Sequence, residues 1–551
     1  HSIWLAETGM SLGKSLQDLL DLSGEAPSLT VLPSKQEAIR SAPARQRAER
    51  RLSRIFGTLE EELQGADWYS DDWLRKTLER VEERFEEACG RWRDLYWSAL
   101  RQSQQQQKVI LDASRDSRDK RHARRLRAQA ESQLELLTGE GKALYQSDFY
   151  SYRYFASEGF LPGYSFPRLP LSAYIPGRRQ RRGSRDEFLS RPRFLAISEF
   201  GPRSIIYHEG SRYVINRVIL PVSEEGDASQ ADETLTRSAK FCPYCGYLHP
   251  LGSDAQGQDL CEYCQKPLDH PLRSLFRMQN VATKRRDRIN SDEEERIRMG
   301  FEIKTGVRFE EHGNRPARRV ATMEAADGTA LLKLTYGAAA TIWRINLGWK
   351  RRRDKEELGF VLDVERGYWQ SNKQAIEDDP DDPMSPRTEK VIPYVEDHRN
   401  CLLIEPLERL PVEVMASLQP ALKNAIQVLY QLEDNELAAE PLPTNEDRRI
   451  ILIYESAEGG AGVLRQLVDR SDALADVARE ALRLCHFDPD TGTDLRRAER
   501  AKEDCEAACY DCLMSYTNQM DHALLDRQLI RDILFRLSSG TVSASPGPAD
   551  R

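Results

Sequence analysis

Two groups of cysteines carry the most legible chemistry of this 551-residue chain. Cys242-x2-Cys245 and Cys261-x2-Cys264 have the spacing of a zinc ribbon or knuckle, in which four thiolates close a tetrahedron around one ion. The segment Cys505-Glu506-Ala507-Ala508-Cys509-Tyr510-Asp511-Cys512 supplies three more, and Cys485 lies a short way upstream as a fourth. Cysteines this closely spaced read as metal ligands rather than as a disulfide framework. His486 beside Cys485 leaves the fourth ligand of the second set open. His249 and His270 are substitutes that the first set does not require. Four protein ligands leave no coordination position for water, so both sets predict structural Zn2+ rather than a catalytic ion. Cys89 and Cys401, the remaining pair, read as core residues.

A second chemistry is nucleic-acid contact. Aromatic rings interleaved with arginine stack bases while neutralising phosphate. Trp343, Arg344 and Trp349 precede Lys350, Arg351, Arg352 and Arg353. With Arg285 and Arg286 from the basic run at 284–288, they form the candidate set. A solvated face is the plainer reading of any single basic run, as for those at 120–127 and 178–185. The turn Glu458-Gly459-Gly460-Ala461-Gly462 opens a helix, so Gly459, Gly460 and Gly462 are a candidate phosphate turn. The bland alternative is a turn that is merely tight. Glu433, Asp434, Glu436, Glu440, Glu455 and Glu458 could gather around a divalent ion as a nuclease does, although surface acids are commoner. The run Gly9-Met10-Ser11-Leu12-Gly13-Lys14-Ser15 imitates a phosphate loop but has one residue too few between its glycines. No DEAD- or DEAH-like acid box occurs either. No ATP hydrolysis is expected from this chain alone, and no catalytic residue is assigned.

These residues must be positioned by several domains. The length allows three to five, and 40% apolar with 31% charged residues describes a soluble, charge-rich chain able to build cores. A net charge of −9 argues against nucleic-acid binding through overall positive charge. No run approaches the roughly 20 apolar residues that span a bilayer, and a cytoplasmic location is expected. The opening residues read as the inside of a domain, which predicts a fragment or one half of a larger polypeptide. The fold class expected is α+β multidomain. Residues 1–34 read as the tail of a preceding lobe. Residues 35–142, with a helical-period stripe through Leu59, Leu63, Trp68, Trp73, Leu78, Val81, Phe85 and Trp92, read as a long helical arm. A β-rich part at 143–235 includes strand signals at 194–197 and 214–220 and a hairpin turning at Glu209-Gly210. A linker over 223–238 leads into a zinc ribbon-like module, 236–275. Another β-rich part, 276–420, has a capping box at Ser291 and Glu294 and an acidic loop at 377–383. A C-terminal α/β domain at 421–538 holds the second four-cysteine site. It is read as a helix near Pro420, a strand over 450–455, a helix over 463–484 and a closing helix over 523–537. Residues 539–551 read as a disordered tail.

The stretches 430–440 and 454–464, together with Cys509-Tyr510-Asp511-Cys512-Leu513-Met514-Ser515-Tyr516-Thr517-Asn518-Gln519-Met520-Asp521-His522, resemble one family. It is the zinc-binding C-terminal domain of mitomycin-repair-type, MrfA-like helicases, found also in DISARM phage-defence proteins of the DrmA and DrmB type. More loosely, 1–20 resembles the segment after the second RecA-like lobe, and 150–420 the β-region behind the motor. The resemblance implies that Cys485, Cys505, Cys509 and Cys512 are the metal ligands. It also implies that the chain accompanies an ATP-driven DNA translocase whose motor lies upstream or on a partner chain. DNA, that motor and other defence-complex subunits are the partners implied. A scaffold that only docks subunits, and a metal-dependent nuclease, are the alternatives.

Overall fold

The computed structural model describes all residues except 25, 59–62, 64–69, 71, 139–149, 159, 162–169, 177–186, 221–235, 252–258, 289–299, 313–314, 317, 365, 371–387, 457–461, 499–500 and 545–551, with the backbone alone at a few others. The chain forms two compact units, each assembled from separated segments: His1–Arg237, Ser274–Glu302 and Asn346–Val395 in the first, and Ser238–Arg273, Ile303–Ile345 and Glu396–Arg551 in the second. The contiguous segments expected from the sequence are distributed over both.

In the first unit the expected helices are present, the longest being Val81–Leu111 and Ser117–Thr138. Leu59 and Trp68 of the stripe lie outside the described residues. Along the long helix Val81, Phe85 and Trp92 recur on one face and are buried, as is Leu78 of the preceding helix Trp73–Glu79. Their partners come from both directions along the chain. Trp4, Leu12, Leu16 and Leu20 close the core from one side, and Tyr154, Phe155 and Phe160 from the other. The first 34 residues thus share a core with the helices. Tyr154 is inserted into the ladder of the long helix, where its hydroxyl accepts from the Trp92 amide at 3.0 Å and donates to the Ala88 carbonyl at 2.6 Å.

A five-stranded sheet in the same unit has the order Glu187–Arg191, Leu171–Ile175, Val281–Arg288, Ser211–Val218, Ile205–His208. Its hairpin turns at Glu209 and Gly210, whose φ values of 44° and 69° are the left-handed pair of a type I′ turn, as expected. Residues 194–197 do not form the expected strand. They belong to the helix Arg193–Glu199, which buries Ala196 and Ile197 while Leu195 stays exposed. A four-residue apolar run cannot by itself distinguish the two periods.

The second unit is built around the helix Val412–Tyr430, whose Val414, Leu418, Ala421, Leu422, Ala425 and Ile426 are buried. It passes through Pro420 rather than starting there, since burial on both sides of the proline outweighs one missing backbone donor. The strand Arg448–Glu455 pairs antiparallel with Leu437–Pro443 and, at 451–454, with residues 401–404. The helix expected over 463–484 is two, Val463–Asp469 and Ala473–Leu484, separated where Arg470 adopts an extended conformation. The expected closing helix starts at Arg527, with the Asp526 side chain accepting from the Gln528 amide at 2.8 Å. A 3-10 segment, Tyr516–Leu524, precedes it. The tail is ordered further than expected, for Thr541–Ala544 pairs antiparallel with Arg319–Glu324. The basic run at 178–185, the Ser291 capping box, most of the 223–238 linker and the 377–383 loop lie outside the described residues. No helix among the described residues is long and apolar enough to cross a membrane.

Candidate metal centres

The first four cysteines sit on two turns of the same construction. Cys242 donates its amide to the Tyr247 carbonyl and accepts at its own carbonyl from Gly246; Cys261 does the same with Lys266 and Gln265. Both turns need a left-handed residue before they close, supplied by Gly246 at φ 76° and Gln265 at φ 58°. At Gly246 glycine is also required by space, since a Cβ would stand 2.9 Å from the Leu442 side chain. The two turns bring all four Sγ atoms within 4.8 Å of one another. Cys242 to Cys264 is 3.5 Å and Cys245 to Cys261 is 3.6 Å. A tetrahedron with Zn–S bonds of about 2.3 Å has edges of about 3.8 Å, so the donor set fits Zn2+. Hydrogen bonds from Cys245 and Cys261 bring the Cys242 thiol down to about 2, and the same contacts push Cys245 far up, so four thiolates do not coexist without a shared positive charge. His249 is outside the set, its Nδ1 3.8 Å from the Glu262 carboxylate, and His270 is exposed. Tyr263 anchors the second turn, its hydroxyl 3.1 Å from Thr335 Oγ1 and donating to Glu405 at 3.2 Å.

The second set differs from expectation at one ligand. The side chains within 4.8 Å of one another are His486, Cys505, Cys509 and Cys512. Cys485 is not among them. It ends the helix Ala473–Leu484 on its buried face, is 0% exposed, and burial holds its thiol up at about 12. His486, at φ 62°, turns the chain and places Nε2 3.2 Å from Cys509 Sγ. Burial lowers the His486 pKa and so favours the neutral imidazole that ligates metal. Cys505 and Cys512 are 3.9 Å apart, Cys509 and Cys512 3.6 Å, again near the tetrahedral edge. The Cys509 amide donates to Cys512 Sγ at 3.1 Å.

Arg527 holds this cluster together, and nothing in the local sequence marks it. Only 1% exposed, it donates to the Cys505 carbonyl at 2.7 and 2.9 Å and to the Cys485 carbonyl at 3.2 Å. It also forks onto Asp494 at 2.7 and 3.1 Å, and its guanidinium lies 4.9 Å from the Phe487 ring centroid. The hydrogen bond from Arg527 holds the Asp494 carboxyl down at about 2. Asn424 adds a bond from the central helix to the Cys512 carbonyl at 2.8 Å. Asn518 joins Ser515 and Leu513, which explains its place in the motif.

Near both glycine runs the chain's own carboxylates accept from described backbone amides. Gly459, Gly460 and Glu458 lie outside the described residues. At Gly462 and beyond, the amides of Gly462, Val463 and Leu464 donate to the buried Glu455 carboxylate at 3.3, 2.8 and 3.1 Å. A phosphate at that helix terminus would have to displace it. In the same way the Lys14 amide donates to Asp18 at 2.7 Å. Three more of the described acids of the nuclease reading are committed elsewhere, while Glu433 is exposed. Glu440 pairs with Arg344 and accepts from Tyr454 at 2.9 Å, Asp434 pairs with Lys423 at 2.8 Å, and Glu436 accepts from the Glu433 amide at 2.8 Å.

The nucleic-acid set divides. Trp343 is 3% exposed, and Arg344 is engaged by Glu440. Arg352 pairs with Glu302 at 2.8 Å and donates to the Trp349 and Lys355 carbonyls. These three hold the fold. Trp349 stacks on Phe301 at 4.5 Å and is partly exposed. Lys350, Arg351, Arg353, Arg285 and Arg286 are exposed in the first unit.

A search of curated proteins gives no match. Among solved structures, the crystal structure of the DUF1998 helicase MrfA bound to DNA is similar at 10% identity and a TM-score of 0.31, over 68% of this chain and 34% of that one. The chain thus spans about a third of that helicase's length. Residues 418–513, which contain all four donors of the second cluster, match the family described as MrfA Zn-binding domain.

Proposed function

We propose that this chain is the zinc-braced accessory portion of an ATP-dependent DNA helicase or translocase whose motor lies outside these residues. The observation that carries the reading is the second cluster, since the residues matching the MrfA Zn-binding domain are the ones that gather its four donors. One Zn2+ is held by Cys242, Cys245, Cys261 and Cys264, and a second by His486, Cys505, Cys509 and Cys512. Each supplies folding energy rather than chemistry, because its four positions are filled by protein. Lys350, Arg351, Arg353, Arg285 and Arg286 contact DNA phosphates, and the thiol-rich sites suit a reducing, cytoplasmic compartment. A role in anti-phage defence, with other defence subunits as partners, is part of this proposal and is supported only by the likeness of 430–440, 454–464 and 509–522 to DISARM-type proteins.

The test is DNA binding by the full chain across a salt series. The triple charge reversal Lys350→Glu, Arg351→Glu, Arg353→Glu is expected to weaken binding and flatten the slope of log affinity against log salt by about 2 to 3. An unchanged slope removes these side chains from the DNA contact. A scaffold role has its own support, because Tyr510, Tyr516 and Met520 beside the second cluster are 69%, 84% and 85% exposed. If the wild-type chain binds no DNA yet co-purifies with an ATPase subunit, docking is the function.

A further inference from the structure

The first unit contains a cavity of about 220 Å³ that the reading above does not use. Its lining includes Arg203, Trp349, Arg352, Gly359, Phe360 and Trp369. The rings brace one another: Phe360 meets Trp349 and Trp369 edge-on, each at 6.0 Å, and Phe301 stacks behind Trp349. Gly359, at φ 82°, allows the backbone to pass where a Cβ would stand 2.5 Å from the Val391 carbonyl. The result is a rigid aromatic wall.

Two buried donors remain unanswered beside that wall. Trp369 is 8% exposed, and its Nε1 has no hydrogen-bond acceptor among the described residues. The Nε of Arg352 is in the same condition. A buried N–H without an acceptor is costly, so a ligand offering acceptors at the edge of a flat ring suits the pocket. The volume falls below the roughly 300–1,000 Å³ of clefts for drug-sized molecules, which matches one planar ring rather than a whole cofactor. Arg203 is exposed and can meet a phosphate attached to such a ring.

We propose that this pocket seats one unpaired nucleobase of a DNA strand against the Trp349, Phe360 and Trp369 wall, with Trp369 Nε1 donating to the base edge. The proposal rests on the DNA-contacting reading above and assigns it a single-strand site, because a base paired in duplex cannot reach an aromatic pocket without leaving its stack.

The experiment compares a labelled single-stranded oligothymidylate with an abasic strand of equal length, using the full zinc-loaded chain. The wild type is expected to bind the base-bearing strand about tenfold more tightly and to lose tryptophan fluorescence only with that strand. Trp369→Phe keeps the ring but removes the donor, and is expected to close most of the gap while leaving abasic binding unchanged. Equal wild-type affinity for the two strands, without selective quenching, overturns the pocket and leaves the phosphate contacts standing. A gap that survives in a folded Trp369→Phe chain also overturns it. Binding of neither strand at low salt overturns the DNA reading and the pocket together.

Discussion

Cys485 and His486 are neighbours in sequence, yet only the histidine reaches the second cluster. A helix ending at Leu484 points Cys485 into the core, and the left-handed backbone of His486 redirects the next side chain towards the thiols. A strained conformation of this kind persists where surrounding interactions enforce it, and a metal is such an interaction. Elemental analysis is therefore expected to find both zinc ions in Cys485→Ser and in His486→Cys, but only one in His486→Ala. Loss of zinc from Cys485→Ser with retention in His486→Ala would reverse the assignment. Arg527 belongs to the same scale. Breaking its buried pair with Asp494 by Arg527→Ala is expected to cost about 3–5 kcal/mol in urea unfolding with zinc present. Arg527→Lys should recover only part of that, because an ammonium cannot reproduce the fork onto Asp494 and two carbonyls. The pH dependence has a definite sign. The Asp494 carboxyl is held down at about 2, so its contribution is complete above its unfolded pKa near 4 and is lost as pH falls towards 2. The stability difference between wild type and Asp494→Asn should stay constant from about pH 8 to pH 6. A change in that range would mean that another group is titrating.

At the scale of elements, short-range rules succeeded where one turn or one repeat contained the whole determinant. The hairpin at Glu209-Gly210 is such a case, because two left-handed residues in sequence specify the turn. The ligand spacing of 242–264 is another, since each Cys-x2-Cys closes its own turn. The apolar run 194–197 was ambiguous because its partners lie elsewhere, and the break at Arg470 depends on how two short helices pack rather than on a breaker residue. The glycine turn before Val463 had two readings, and the Glu455 carboxylate takes the amides in question. Glu455→Gln retains an acceptor but removes the charge at the helix N-terminus. It is expected to cost about 1–2 kcal/mol in thermal or urea unfolding, and Mg2+ should leave the melting temperature of both proteins unchanged. Stabilisation of the wild type alone by Mg2+ would revive the acidic metal site.

For the whole molecule, two four-ligand clusters in the second unit are expected to couple its integrity to metal. Treatment with a strong chelator should lower its unfolding temperature by many degrees, and added Zn2+ should restore it, because ligand sets of this kind are not preformed in the unfolded chain. A chelated protein that melts unchanged would mean that neither cluster binds the ion. What the sequence determined by itself was local: two thiol-rich turns, a hairpin, long amphipathic helices and the absence of a complete phosphate loop, all features whose determinants fall within a few turns of chain. The tertiary structure alone decided which charges are free and which are spent. Arg344 meets Glu440, Arg352 meets Glu302, and the first twenty residues share a core with Phe155 and Phe160. Each depends on contacts between residues far apart in the chain, and an ionic or apolar side chain carries no mark of the distant partner that will neutralise or bury it.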